Sequence, residues 1–74
     1  MSRRVRYTVQ PQGNGWDVTK GGKPVSHHRT KDVAVEKGRR LAKAEDLGQL
    51  VIKKQNGRIQ EERTYGADPF PPRG

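Results

Sequence analysis

Alternation of apolar and polar residues predicts two short strands near the N-terminus. Segment 4–10 sets Val5, Tyr7 and Val9 between polar residues, and this period of two is typical of a half-buried β-strand. Segment 16–20 has the same period. The residues between the two segments include an Asn-Gly pair, which is a strong signal for a tight hairpin turn. We therefore expect the two segments to pair as a β-hairpin.

The rest of the chain contains three further strand candidates. Segment 25–29 is short and polar and leads into the next element, so we treat it as an optional third strand. Segment 49–54 has an apolar run that leaves its inward face ambiguous, and segment 59–65 is polar, as expected of an edge strand. Asn56-Gly57 lies between the last two segments and predicts a second hairpin.

Residues 30–48 have the period of an amphipathic helix. Thr30 is a suitable N-cap, because its hydroxyl can accept a hydrogen bond from an amide of the first turn. Gly48 is placed to end the helix in a left-handed conformation. The predicted inward arc consists of Val33, Ala34, Leu41, Ala44 and Leu47. Such a one-sided helix needs a partner surface, which the sheet would supply.

These elements predict an α+β fold in the order β-β-(β)-α-β-β. We expect one antiparallel sheet of four to five short strands, packed on one face by a single helix. Residues 1–65 would form one small domain, and residues 66–74 a tail rich in Pro and Gly. Within that tail, Phe70 either folds back over the core or serves a docking peptide.

Composition restricts the class of protein. Of 74 residues only 28% are hydrophobic, so the core is small and a homodimer that shares it would relieve the shortage. The absence of cysteine excludes disulfides and thiolate metal sites. No apolar run has the length of a membrane span, and the N-terminus lacks the apolar segment of a signal peptide. We expect a cytoplasmic protein that has no membrane partner.

The net charge of +8 is the sequence feature with the most functional content. Six Lys or Arg residues stand against one acidic residue in segment 1–29, whereas segment 30–48 is nearly neutral. Such an excess suits a partner that carries phosphates, although dispersed surface charge on a small protein would give the same composition. The candidate nucleic-acid-binding residues are Arg4, Arg6, Lys20, Lys23, Arg29, Lys53, Lys54 and Arg58.

No pattern of residues indicates catalysis. His27 and His28 are adjacent on a strand and point to opposite faces, so they do not form a chelating pair. Ser26 and His27 are neighbours in sequence, but adjacency alone does not hold a nucleophile against a base. The carboxylates of Glu61 and Glu62 also face opposite sides of their predicted strand. We therefore predict no enzyme activity, no metal site, no cofactor and no small-molecule substrate.

Several motifs, in this order, resemble a bacterial family known as domain of unknown function 2188, over roughly residues 5–74. The matching motifs are Gly15-Trp16, Val18-Thr19-Lys20, Thr30-Lys31, Leu41-Ala42-Lys43, Leu50-Val51-Ile52, Asn56-Gly57-Arg58-Ile59-Gln60, Tyr65-Gly66 and Asp68-Pro69. The family often has an apolar or aromatic residue before the Thr-Lys pair, where this chain has Arg29. The resemblance implies a small bacterial cytoplasmic protein without an established activity.

Two hypotheses of function follow. The first is a non-enzymatic module that associates with DNA or RNA, mostly through phosphates. Alternation turns Tyr7 and Trp16 inward, so recognition by base stacking is not expected. The alternative is a protein-interaction or self-associating module, a homodimer for example, in which the charge serves solubility.

Overall fold

A five-stranded mixed sheet covered on one face by a helix accounts for residues 4–66, which are the residues described by the computed structural model. The elements in chain order are β1 (Val5–Gln12), β2 (Gly15–Lys20), β3 (Lys23–His28), α1 (Lys31–Lys43), β4 (Leu47–Lys53) and β5 (Ile59–Gly66). The α+β class is therefore confirmed, and the optional third strand is present.

The sheet is not antiparallel throughout, and in this respect the prediction was wrong. Its strand order is β3-β2-β1-β4-β5, which differs from the order along the chain. β1 runs parallel to β4, whereas the other three pairs are antiparallel. The reason is the crossover: α1 carries the chain from β3 at one edge back over the sheet, and a helix-length connection allows β4 to enter parallel to β1.

The parallel pairing sends both hairpin turns to the same end of the sheet. The β1–β2 turn at residues 13–14 and the β4–β5 turn at residues 54–58 leave this end, and α1 begins there after β3. We call it the hairpin end. The opposite end, which we call the distal end, holds the β2–β3 turn at residues 21–22, the end of α1 and the start of β1.

The core lies between α1 and one face of the three central strands. Alternation predicted its members on β1 and β2, and the prediction is confirmed. The buried residues on that sheet face are Tyr7, Val9, Trp16, Val18, Leu50 and Ile52. The ambiguous strand β4 thus directs Leu50 and Ile52 toward the helix. Burial of each aliphatic side chain stabilises the fold by about 1.5–3 kcal/mol.

The face of α1 that meets the sheet is a stripe of small residues. Ala34, Gly38 and Ala42, each four apart, are buried. A Cβ on Gly38 would lie 2.8 Å from Cδ1 of Leu50, so the helix backbone packs directly on the core. The predicted arc is thus partly wrong, because Val33 is 54% exposed.

The start of α1 was predicted correctly, but its end was not. Thr30 is the N-cap as predicted, and its Oγ1 accepts a hydrogen bond of 3.3 Å from the amide of Val33. The helix ends at Lys43, so Leu47 and Gly48 belong to β4 instead. Gly48 does not close the helix: a Cβ there would lie 1.9 Å from the carbonyl oxygen of Ala42, and only glycine permits that approach.

The described residues end at the boundary between the predicted domain and the predicted tail. Gly66 is the last residue of β5, where it pairs with Leu47 of β4. Residues 67–74 lie outside the described part of the chain, and with them both interpretations of Phe70.

Candidate nucleic-acid interface

The fold divides the eight predicted basic residues between the two ends of the sheet. Those at the distal end are Arg4, Arg6, Lys20 and Lys23, and those at the hairpin end are Arg29, Lys53, Lys54 and Arg58. All but the half-buried Lys53 are exposed. The eight residues predicted from the sequence therefore form two separate groups, and the electrostatic surroundings of each group are described in turn below.

At the distal end, basic residues meet acidic ones. Glu45 follows α1, and its Oε2 lies 3.8 Å from Nζ of Lys20 and accepts a 2.7 Å hydrogen bond from Oη of Tyr7. Asp46 is next in the chain, and the C-terminal end of a helix carries a partial negative charge of its own. This end is therefore partly neutralised by the protein itself.

Burial and the hydrogen bond to Glu45 raise the pKa of Tyr7 to about 12. Tyr7 is 4% exposed, and the neighbouring carboxylate further disfavours a second negative charge. The phenol therefore keeps its proton and donates a hydrogen bond to the carboxylate, which links the residues after α1 to β1.

At the hairpin end, the β4–β5 turn presents Lys53, Lys54 and Arg58 together. The amide of Lys54 donates a 2.6 Å hydrogen bond to the carbonyl of Arg58, and Oδ1 of Asn56 accepts one of 3.0 Å from the amide of Arg58. Gly57 supplies the positive φ of 90° that the tight turn requires. Within residues 4–66 no acidic group forms an ion pair with any of these three cations.

Lys31, the first residue of α1, adds to the hairpin end and was missed in the sequence. Its Nζ lies 5.1 Å from the centre of the Trp16 ring and donates a hydrogen bond to Oε1 of Gln60 on β5. The positive end of the helix dipole lies at the same place, offset by Asp32 in the first turn. The Thr30-Lys31 pair indicated that a basic residue begins the helix. It did not indicate that Lys31 lies beside β5, because that depends on the crossover from β3 to β4.

The residues considered for catalysis do not assemble. Nδ1 of His27 lies 2.5 Å from Oδ1 of Asp17, whereas Nε2 of His28 contacts Oγ of Ser26 at 2.9 Å. Adjacent positions on β3 face opposite sides of the sheet, so these two pairs are separate and no nucleophile–base–acid chain forms from them. Within the described residues, no three His, Asp or Glu side chains are grouped to hold a metal ion.

Known proteins place the chain in a family but supply no activity. Residues 7–65 match the family described as "Uncharacterized protein conserved in bacteria (DUF2188)". Neither the curated proteins nor the solved structures contain a match. The helix within residues 4–66 is too short and polar to cross a membrane. Because the matched segment covers most of the chain, this protein belongs to the bacterial family of domain of unknown function 2188.

Proposed function

We propose that this protein is a nucleic-acid-binding module that contacts phosphates with its hairpin end. One observation carries the proposal. Parallel pairing of β1 with β4 gathers both hairpin turns and the start of α1 at one end of the sheet, together with five basic residues. The five are Arg29, Lys31, Lys53, Lys54 and Arg58.

The positive charge at the hairpin end is only partly neutralised by acidic residues of the protein, so these cations are available to contact a ligand. Asp32 is the acidic residue of the helix start, and the carboxylate of Glu61 on β5 is engaged by the guanidinium of Arg63. Lysine and arginine side chains that contact phosphates release the counterions condensed on nucleic acid, which favours binding. The net charge of +8 adds long-range attraction to any polyanion.

Binding through phosphates alone should be insensitive to base sequence. Trp16 is only 9% exposed and lies under Lys31, so it offers no stacking platform for bases. We therefore expect affinity for duplex DNA or RNA of any sequence. With five cations engaged, log K should fall against log salt with a slope of about −4 to −5 on duplex DNA.

A titration of labelled duplex DNA and of single-stranded RNA at two salt concentrations tests the proposal. The informative variant is Lys53→Ala/Lys54→Ala/Arg58→Ala, and the matched control is Arg4→Ala/Arg6→Ala/Lys23→Ala, which removes the same charge from the distal end. The first variant should lower affinity at least tenfold and reduce the slope by about 3. The control should change the slope less than the first variant does.

Two results would contradict the proposal. Equal losses for the two variants would mean that net charge, and not the hairpin end, attracts the nucleic acid. Absence of binding at low salt would exclude the function itself.

A further inference from the structure

The outer edge of β3 is open within residues 4–66. β3 pairs with β2 on one side and has no strand on the other. Lys23 and Pro24 protect its first half, since proline lacks an amide and lysine discourages strand pairing. Residues 26–28 have no such protection, so their outward backbone groups are available to an added strand.

A groove lies beside this open half, between β3 and α1. Its volume is about 270 Å³, and it is lined by His28, Val33, Glu36, Lys37 and Arg40. Val33 is 54% exposed although it is aliphatic, and it gives the groove an apolar wall. Helix periodicity predicted Val33 on the buried face, but the small-residue stripe of α1 occupies that face instead. Val33 therefore lines the groove as an exposed aliphatic side chain.

The rim of the groove is positive. Lys37 and Arg40 are exposed along α1, and Arg29 follows β3. Glu36 offsets them only in part: Nη2 of Arg39 donates to its two oxygens at 2.7 and 2.9 Å, and Nε of Arg40 donates to Oε2 at 3.3 Å, so one carboxylate faces two guanidinium groups. These hydrogen bonds lower the pKa of Glu36. Lys37 forms no ion pair within residues 4–66.

We infer that this groove binds an extended acidic segment of a partner protein. The segment would add a strand to residues 26–28, direct one aliphatic side chain against Val33, and set its carboxylates against Lys37 and Arg40. Strand addition supplies backbone hydrogen bonds, and the groove supplies selectivity for alternate side chains.

Charge complementarity favours this occupant over a second copy of the chain or a nucleic acid. Each copy carries +8, and the charged residues of β3 and its flank, Lys23 and Arg29, are both basic, so self-pairing at this edge brings like charges together. A phosphate backbone would satisfy Lys37 and Arg40 but leaves the apolar wall and the open strand edge unused.

The probe is a labelled strand-length peptide that alternates glutamate and valine, titrated by fluorescence anisotropy. Val33→Asp is the groove variant, and Ile59→Asp on β5 is its matched control, because Ile59 is also 54% exposed. Val33→Asp should weaken binding about tenfold or more, while Ile59→Asp should stay within about twofold. Lys37→Glu should also weaken binding, and a peptide that alternates lysine and valine should not bind.

Amide chemical shifts locate the peptide, and competition with DNA and sedimentation distinguish the other possible occupants of the groove. Amide chemical shifts should change on peptide addition at residues 26–28 and along the groove side of α1. Changes confined to other residues, or equal losses for the two aspartate variants, would overturn the inference. Displacement of the peptide by duplex DNA, with binding of that DNA weakened by Val33→Asp, would assign the groove to nucleic acid. A mass in sedimentation that rises with concentration, and that Val33→Asp abolishes, would assign it to a second copy.

Discussion

Gly48 and Ala42 are in backbone contact where the chain passes from α1 into β4. A Cβ on Gly48 would lie 1.9 Å from the carbonyl oxygen of Ala42 and 2.7 Å from its carbonyl carbon. Neither backbone can move aside easily. Ala42 is fully buried in the helix, and Gly48 is held between Val5 of β1 and Tyr65 of β5. The end of α1 can therefore pack this closely against β4 only because residue 48 has no side chain.

Gly48→Ala should therefore destabilise the protein strongly. A methyl group must be fitted where only backbone atoms could yield, so we expect the free energy of unfolding to fall by about 3 kcal/mol. Urea denaturation monitored by circular dichroism measures this change. Gly13→Ala is the control: Gly13 has a φ of 61° but no atom near its Cβ position, so the cost is the left-handed conformation alone, about 1 kcal/mol. Equal costs for the two variants would contradict the steric argument.

Tyr7→Phe should reduce stability by removing the hydrogen bond to Glu45. The bond joins a buried phenol to a carboxylate at 2.7 Å, and a hydrogen bond to a charged group contributes about 1.5–3 kcal/mol. Chemical denaturation at neutral pH measures the loss. Glu45→Gln keeps a hydrogen-bond acceptor and should cost less than Tyr7→Phe; a larger cost would mean that the ion pair with Lys20 is the stronger contact.

Stability should also fall in strongly alkaline solution because of Tyr7. The pKa of the folded phenol is raised to about 12 from its ordinary value of 10.0. A folded pKa above the unfolded one stabilises the fold below pH 10, and the contribution is lost as pH rises through about 12. Denaturation curves across this interval should show the fall in the wild-type chain. If Tyr7→Phe shows the same fall over pH 10–12, other groups are responsible.

Thr30→Ala should shorten or weaken α1 at its start. The hydroxyl of Thr30 accepts from the amide of Val33, and loss of an N-cap costs about 1 kcal/mol. Thermal unfolding measures the change, and Thr64→Ala on the exposed edge strand β5 is the comparison, with an expected change within about 0.5 kcal/mol. Similar losses at the two positions would argue against a capping role.

Nucleic-acid binding should leave Trp16 buried, even though Lys31, which lies 5.1 Å from the centre of its ring, is expected to contact phosphates. The indole is 9% exposed and packed in the core, so it cannot stack on a base without unfolding of that region. Acrylamide quenching of its fluorescence should be weak, and it should be the same with and without saturating duplex DNA. Strong quenching by the nucleic acid would show base stacking and contradict a contact made through phosphates.

Local features of this fold were predictable because neighbouring residues determine them. The inward position of Tyr7 and Val9 follows from alternation, and the N-cap at Thr30 from its hydroxyl before a periodic segment. Asn56-Gly57 lies in the second hairpin turn as predicted, whereas the first turn is formed by Gly13 and Asn14, one residue ahead of the Asn14-Gly15 pair that predicted it. Each of these signals lies within a few residues of the structure that it specifies.

Features that depend on distant segments were not predictable from those signals. Alternation does not encode strand direction, so the parallel pairing of β1 with β4 was missed. The side-chain pattern of α1 also gave a wrong prediction, because it placed Val33 in the core. Gly38 faces the core instead, since the sheet approaches too closely there for a larger residue. The candidate interface inherited the first error, and Lys31 was left out for that reason.

The β1–β4 pairing has a consequence for the order in which the chain folds. It joins residues that are far apart in sequence, such as Arg6 and Gln49 with a separation of 43, whereas each hairpin joins near neighbours. Hairpins close quickly and long loops slowly, so the two turns should form before they are brought together. We therefore expect the hairpin end to be completed late in folding, when β1 pairs with β4. A polyanion that binds there would bind only the complete fold and would therefore stabilise it relative to states in which the two hairpins are separate.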